Sequence, residues 1–274
     1  MTSTQSRRNF NRLIPIVRQP VSLSELEVLE NGGPILGLHA QDGTIYSVVN
    51  NIPVLMPEFS QFPNKTVSMW AELQEKEVKA YRQSPVGVFS GETTKMALEF
   101  RDMVRHYSNP GTALDVGCGA LPRPSYMKET NLDWFGIDPY LGDQDREFPF
   151  VVGVAECLPF ANESFDNTVF ATTVDHILKP ELAIIDALRT LKAEGLLFLW
   201  YSDRPVDARY LLRKFGVTSK YNKHHMYGFT DETLKTLVEE CGFRTEEVVS
   251  LSDGQSHVLV ARKFARKVIV KRGS

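Results

Sequence analysis

The sequence predicts an α/β fold, a mostly parallel sheet with helices on both faces and an antiparallel terminal hairpin, preceded by a small β-rich unit. Three observations predict it. From Ala113 onward, buried strand-like runs alternate with helix-like segments, which is the sequence form of a parallel sheet built by crossovers. One of those runs, Ala113 to Val116, passes directly into the tight turn Gly117-Cys118-Gly119. Near the end, Arg244 to Ser250 and Ser256 to Ala261 are two strand-like runs joined by Asp253-Gly254.

Taken in order, residues 1–20 carry Arg7, Arg8, Arg12 and Arg18 among Ser and Thr, with no acid before Glu25. Organellar transit peptides and disordered basic tails share that composition, and a disordered tail is expected. Residues 21–63 are rich in turns, with Asn31-Gly32-Gly33-Pro34, Asp42-Gly43 and Asn50-Asn51 punctuating runs of Val, Ile, Leu and Tyr. This is the small β unit, and Asp42-Gly43 marks a hairpin. Pro53, Pro57 and Pro63 then set a boundary. Residues 64–110 supply a helical connection: 67–82, with Met69, Trp70, Leu73, Val78 and Tyr81, and about 93–107, with Met96, Leu98, Phe100, Met103 and Val104. These helices are expected to cover the site. Residues 111–274 form the main domain, with strands at 113–116, 134–137, 150–152, 167–171 and 195–200 ahead of the hairpin.

Composition narrows the function. The 274 residues are 42% hydrophobic and carry 31 Lys plus Arg against 34 Asp plus Glu, so a net charge of -3 offers no global field for a phosphate backbone. The longest apolar run, Leu196 to Tyr201, is far shorter than the roughly 20 residues that cross a bilayer. Cys118, Cys157 and Cys241 are too few and too scattered for a disulfide framework or a Cys-rich metal site, so a reducing cytoplasm is the expected compartment.

The glycine turn places backbone close to a ligand at the carboxyl edge of the sheet. A dinucleotide fingerprint needs a third glycine three residues past Gly119, but Pro122 stands there, and Asp115 precedes the turn. A carboxylate at that point repels a pyrophosphate and attracts an ammonium. Asp138 follows the next strand 23 residues later (138 − 115), where an acid grips a ribose diol. The site therefore offers ribose and amine recognition without phosphate recognition.

Over residues 90–262 these features resemble the class I S-adenosylmethionine-dependent methyltransferases. Asp115 to Gly119 matches the first motif, Asp138 the second, and Gly153 to Phe160 followed by Ser164-Phe165-Asp166 a third. The resemblance implies a Rossmann-like seven-stranded sheet and S-adenosyl-L-methionine as cofactor. It implies that Asp115 orients the methionine ammonium, that Gly117, Cys118 and Gly119 pass under the methionine and ribose, and that Asp138, with Pro139 beside it, holds the ribose. Ala155 and Glu156 border the adenine. The family commonly has an acid immediately before that alanine, whereas this chain has Val154. Leu158, Pro159, Phe160 and Phe165 are read as core.

The resemblance also places the methionine end near Thr172 and the acceptor near Asp175 and His176. Methyl transfer is an in-line displacement, so a base matters only where the acceptor carries a proton. His176 is a candidate base, or else a helix cap. The aromatic and basic connection 201–229 is read as a substrate lid or as a surface connection packed on the sheet, and it contributes Tyr201, His224, His225 and Tyr227. Thr230 has the position of a helix N-cap. The adjacent His224 and His225 lack a third ligand at a fixed spacing, so no metal is expected. Trp70 and Tyr81 are candidates for closing the cleft from the opposite side, or else core anchors.

Residues 30–57 resemble the small zinc-ribbon domain of the activator subunit of tRNA and protein methyltransferases, yet contain no cysteine, so the likeness is one of shape with apolar packing in place of metal. The leading expectation is O- or N-methylation of a small metabolite, a sugar or natural-product intermediate. Bacterial large-subunit rRNA guanine methyltransferases also place a zinc ribbon before a methyltransferase domain. RNA is therefore the alternative acceptor, favoured by the basic end Arg262, Lys263, Arg266, Lys267, Lys271 and Arg272. A non-catalytic cofactor-binding adaptor is the third reading.

Overall fold

Residues 3–61, 64–83, 95–203 and 225–264 are described by the computed structural model. In chain order the N-terminal part holds α1 (Ser3–Leu13), β1 (Leu26–Glu30), β2 (Ile35–Ala40), β3 (Ile45–Tyr46), β4 (Val48–Val49) and β5 (Ile52–Pro53). Two helices follow, α2 (Asn64–Gln83) and α3 (Lys95–Tyr107). The main domain then runs β6 (Thr112–Val116), β7 (Asp133–Asp138), β8 (Phe150–Val152), β9 (Phe165–Ala171), α4 (Pro180–Thr190), β10 (Leu191–Ser202), α5 (Asp231–Glu240), β11 (Phe243–Ser250) and β12 (Ser256–Lys263).

The central sheet has seven strands in the order β11-β12-β10-β9-β6-β7-β8. β10, β9, β6, β7 and β8 pair in parallel, and β12 runs antiparallel to both β10 and β11. The chain steps outward from β6 through β7 to β8, then returns to the other side of β6 as β9. This reversal opens a crevice at the carboxyl ends of β6 and β9, where such folds bind ligands. Alternate side chains of each strand face two cores. Leu114, Val116, Phe135, Ile137, Phe170 and Leu199 belong to one, together with residues of α1, α4 and α5. Ala113, Trp134, Phe150, Val169, Phe198 and Trp200 belong to the other, with Phe100 and Val104 of α3. Each such fully buried side chain contributes about 1.5–3 kcal/mol.

The expected disordered tail is instead a helix. Phe10, Leu13 and Val17 are each 1% exposed and join the first core, because their spacing places them on one face while the arginines point outward. Arg7 pairs with Glu30, Arg12 pairs with Asp133, and the Arg12 guanidinium lies 4.9 Å from the centre of the Phe135 ring. The four arginines dominate the composition, and the short apolar period is masked by them.

The small β unit shares that core through Leu26, Leu38, Ala40 and Leu55. Its Asp42-Gly43 turn joins β2 to β3, with Gly43 at φ +89°. Val54 bridges Val152 in parallel, and the Leu55 N–H donates to the Val152 carbonyl at 2.7 Å, so the segment after β5 covers the open edge of β8. At the other end, Thr230 caps α5 in a reciprocal capping box with Thr233.

Candidate active site

The glycine turn follows β6 with Gly117 at φ +77° and Gly119 at φ +66°, a backbone region that side chains other than glycine's enter at a cost. Gly117 is required sterically as well, since a Cβ there would collide with the Thr173 side chain. Asp138, at the end of β7, is tied to the turn by one N–H on each oxygen. Gly119 donates to Oδ2 at 2.9 Å and Tyr140 to Oδ1 at 2.8 Å. Each oxygen keeps a further lone pair for a ligand. Burial pushes the Asp138 carboxyl above the ordinary value, against the pull of those N–H groups and of Arg146.

The cleft beside this turn encloses about 750 Å³, open solvent included. Its walls include Gly117, Ile137, Asp138, Pro139 and Tyr140 on one side and Val154, Ala155 and Glu156 on another, with Thr172, Thr173 and His176 at the end of β9. From α2, Trp70, Gln74, Glu77 and Val78 close it over the top. Among the described residues the walls carry three carboxylates, Glu77, Asp138 and Glu156, and no Lys or Arg. Such walls favour a cationic ligand and reject a phosphate.

Asp115 lies behind the turn, 0% exposed and outside the cleft walls. Tyr126 donates to its Oδ2 at 2.7 Å, whereas Oδ1 is buried without a partner among the described residues. Burial raises its pKa to about 7, with the Tyr126 hydrogen bond pulling the other way. Cys118 is buried, and burial pushes its thiol well above the ordinary value, so its side chain serves packing.

A methyltransferase-domain family model matches residues 93–248. The chain belongs to that family. This methyltransferase uses S-adenosyl-L-methionine as cofactor, and the chemistry of the cleft fits the group: its walls are acidic, carry no Lys or Arg among the described residues, and include Asp138 with a lone pair left on each oxygen. Structurally, the methyltransferase is similar to the 1,6-didemethyltoxoflavin-N1-methyltransferase of Burkholderia thailandensis, with bound 1,6-didemethyltoxoflavin and S-adenosylhomocysteine. The TM-score is 0.58 at 16% identity, covering 77% of this chain and 95% of that one. It is also similar to the [4+2]-cyclase SpnF, with a TM-score of 0.54 at 15% identity over 78% and 98% of the two chains. A SAM-dependent methyltransferase from Thermotoga maritima aligns at 22% identity and TM-score 0.49 over 71% and 99%. No curated protein matches the sequence. The first two of these structures establish the fold, and the cyclase shows that the fold also serves other chemistry.

Beyond β9, two separate stretches of the chain meet. Thr172, at φ +55°, ends β9, and Asp175 and His176 sit on the 3₁₀ turn Val174–His176 that follows. His225 comes from the far end of the lid connection. Its Nδ1 lies 2.9 Å from Asp175 Oδ2 and 3.1 Å from His176 Nε2. Burial works to raise the Asp175 pKa, but the His225 hydrogen bond and the two nearby imidazoles hold it below the ordinary value. Asp175 and His176 thus stand beside His225, a grouping that the spacing of residues along the chain does not show.

The remaining candidates divide. Trp70 is a cleft wall, buried against Phe59 at a ring-centre distance of 5.3 Å. Glu156 is a wall too, but its Oε1 accepts the Lys179 N–H at 3.0 Å. Tyr201 and Tyr227 are not among the cleft walls. The Tyr201 hydroxyl donates to Asp231 at 2.7 Å from inside the core, and the Tyr227 hydroxyl donates to the Leu178 carbonyl at 2.8 Å. Both hydroxyls thus serve the fold. His224 and the Tyr81 side chain lie outside the described residues. Sequence reasoning missed Gln74, Glu77 and Val78, although with Trp70 they form an i, i+4, i+7, i+8 stripe that a helical wheel reveals.

Proposed function

We propose that this methyltransferase alkylates an oxygen or nitrogen of a small metabolite, such as a sugar or natural-product intermediate. The observation that carries this reading is the cleft itself, acidic, free of Lys and Arg among its described walls, and roofed by α2. A polyanionic acceptor would meet three carboxylates there. The basic end that favours RNA is partly spent within the fold. Arg262 is paired with Glu246 at 2.6 Å, and the Lys263 ammonium donates to the Leu191 carbonyl at 2.5 Å. Residues 265–274 lie outside the described residues.

S-adenosyl-L-methionine supplies a methyl carbon made electrophilic by its sulfonium. For the chain's own part, Asp138 holds the ribose hydroxyls and Ala155 and Glu156 border the adenine. The Gly117–Gly119 backbone runs beneath the nucleoside, with Asp115 buried behind it and held by the Tyr126 hydroxyl. The bound cofactor would offer its methyl carbon to the acceptor lone pair with the sulfur as leaving group, and these residues would hold both reactants. Holding those atoms in line, about 3 Å apart, is the main contribution of the protein. A proton carried by the acceptor is released on the side where Asp175, His176 and His225 stand. Incubation with methyl-labelled cofactor and either a metabolite extract or unmodified rRNA tests the reading. Label is expected in small molecules, and incorporation into RNA alone would refute it.

A further inference from the structure

We infer that Asp175, His176 and His225 form a binding site for one divalent transition-metal ion at the acceptor end of the cleft. Their donor atoms all lie within 4.8 Å of one another. Besides the 2.9 and 3.1 Å separations at His225 Nδ1, His176 Nε2 is 3.7 Å from Asp175 Oδ1. An ion bound at about 2.0–2.1 Å by imidazole nitrogen and carboxylate oxygen has neighbouring ligands about 3–3.5 Å apart. The three separations, from 2.9 to 3.7 Å, bracket that spacing, the carboxylate presenting Oδ2 to His225 and Oδ1 to His176. One cation can accept a lone pair from each of the three.

The backbone holds these donors ready. The Asp175 carbonyl accepts the N–H of Met226 at 2.7 Å and of Tyr227 at 3.1 Å, which fixes the residue before them, His225, over the turn. Met226 is 2% exposed among Trp70, Leu73 and Leu178, and Tyr227 is anchored through its hydroxyl. The side chains keep some access, 13% for Asp175 and 20% for each histidine. Since His176 also lines the cleft, an ion here has coordination positions facing the acceptor space. Two imidazoles with one carboxylate suit Zn²⁺, Co²⁺ or Fe²⁺ rather than the all-oxygen preferences of Mg²⁺ and Ca²⁺. A second group, Asp203, Asp231 and His257, offers a single imidazole, and Tyr201 already donates to its Asp231. The catalytic consequence, an acceptor atom held as a further ligand, rests on the proposed methyl transfer. Metal binding itself does not.

Full-length protein stripped with a chelator would be titrated with Zn²⁺ by calorimetry and with Co²⁺ by visible absorption. One ion per chain is expected. Asp175→Asn and His225→Ala should each weaken it by about a hundredfold or more, with His225→Gln as the volume-keeping substitute, while His257→Ala changes nothing. Retained S-adenosylhomocysteine binding shows that a variant is folded. Absence of saturable binding of either ion, or binding that survives Asp175→Asn and His225→Ala, overturns the site. Methyl transfer without metal binding rejects the ion and keeps the enzyme. Metal binding without transfer to any acceptor keeps the ion and rejects the enzyme.

Discussion

Asp138 ends β7 and Asp175 follows β9, two strands away across β6, yet the fold shifts their carboxyls in opposite directions. Around Asp138, Asp115 and Glu156, burial dominates, and the buried Arg146 offsets only part of it for the two aspartates. Around Asp175, two imidazoles outweigh burial. The cleft walls around Asp138 carry no Lys or Arg among the described residues, whereas Asp175 faces two imidazoles of the chain's own. The lesson is that carboxylates of similar depth are distinguished by what faces them.

The contrast is sharpest in a substitution beside Asp175. His176→Ala should lower turnover about a hundredfold or more while leaving S-adenosylhomocysteine affinity within about twofold, measured by single-turnover kinetics and calorimetry. A fall in both together would erase the division. Asp138→Ala is expected to do the reverse. It should weaken cofactor binding about tenfold or more, from the roughly 1.5–3 kcal/mol of a charged hydrogen bond, and unchanged affinity would mean that the ribose is held elsewhere.

The smallest effect per unit concerns pH. The folded pKa of Asp115, about 7, stands above its ordinary 3.8. Between those values the folded state binds the extra proton, so stability declines as pH rises through the window and the loss is complete above about 7. Asp115→Asn should remove that part of the slope, at most about 1.4 kcal/mol per pH unit. Urea unfolding of both proteins from pH 4 to 8 measures the difference, and parallel curves would show that Asp115 ionises freely.

The glycine turn and its flanking strands were legible because they are local. Asp115, the two glycines and Asp138 lie within one β-turn-β stretch, and the strand runs around them were read to within a few residues. Gly153 to Phe160 was legible for the same reason, although nothing in the sequence tells that the Glu156 oxygen accepts a backbone N–H from Lys179. His176 and His225 are 49 residues apart, and their contact arises only where Met226 and Tyr227 bond the Asp175 carbonyl of the 3₁₀ turn. The same gap misplaced Tyr201 and Tyr227, whose aromatic character in a lid looked like substrate contact. At the N-terminus, Phe10 and Leu13 were hidden by arginines whose charge dominates composition but whose side chains face outward.

The pairing of Val54 and Leu55 with β8 has a practical consequence for anyone trimming the chain to the stretch matched by its family. A fragment beginning near residue 93 would strip a hydrogen-bonded strand from the sheet margin and bare Phe160, which now bridges Val17. Such a fragment presents a ready template for strand-to-strand self-association. The segment after β5 thus shields the β8 margin from a neighbouring strand.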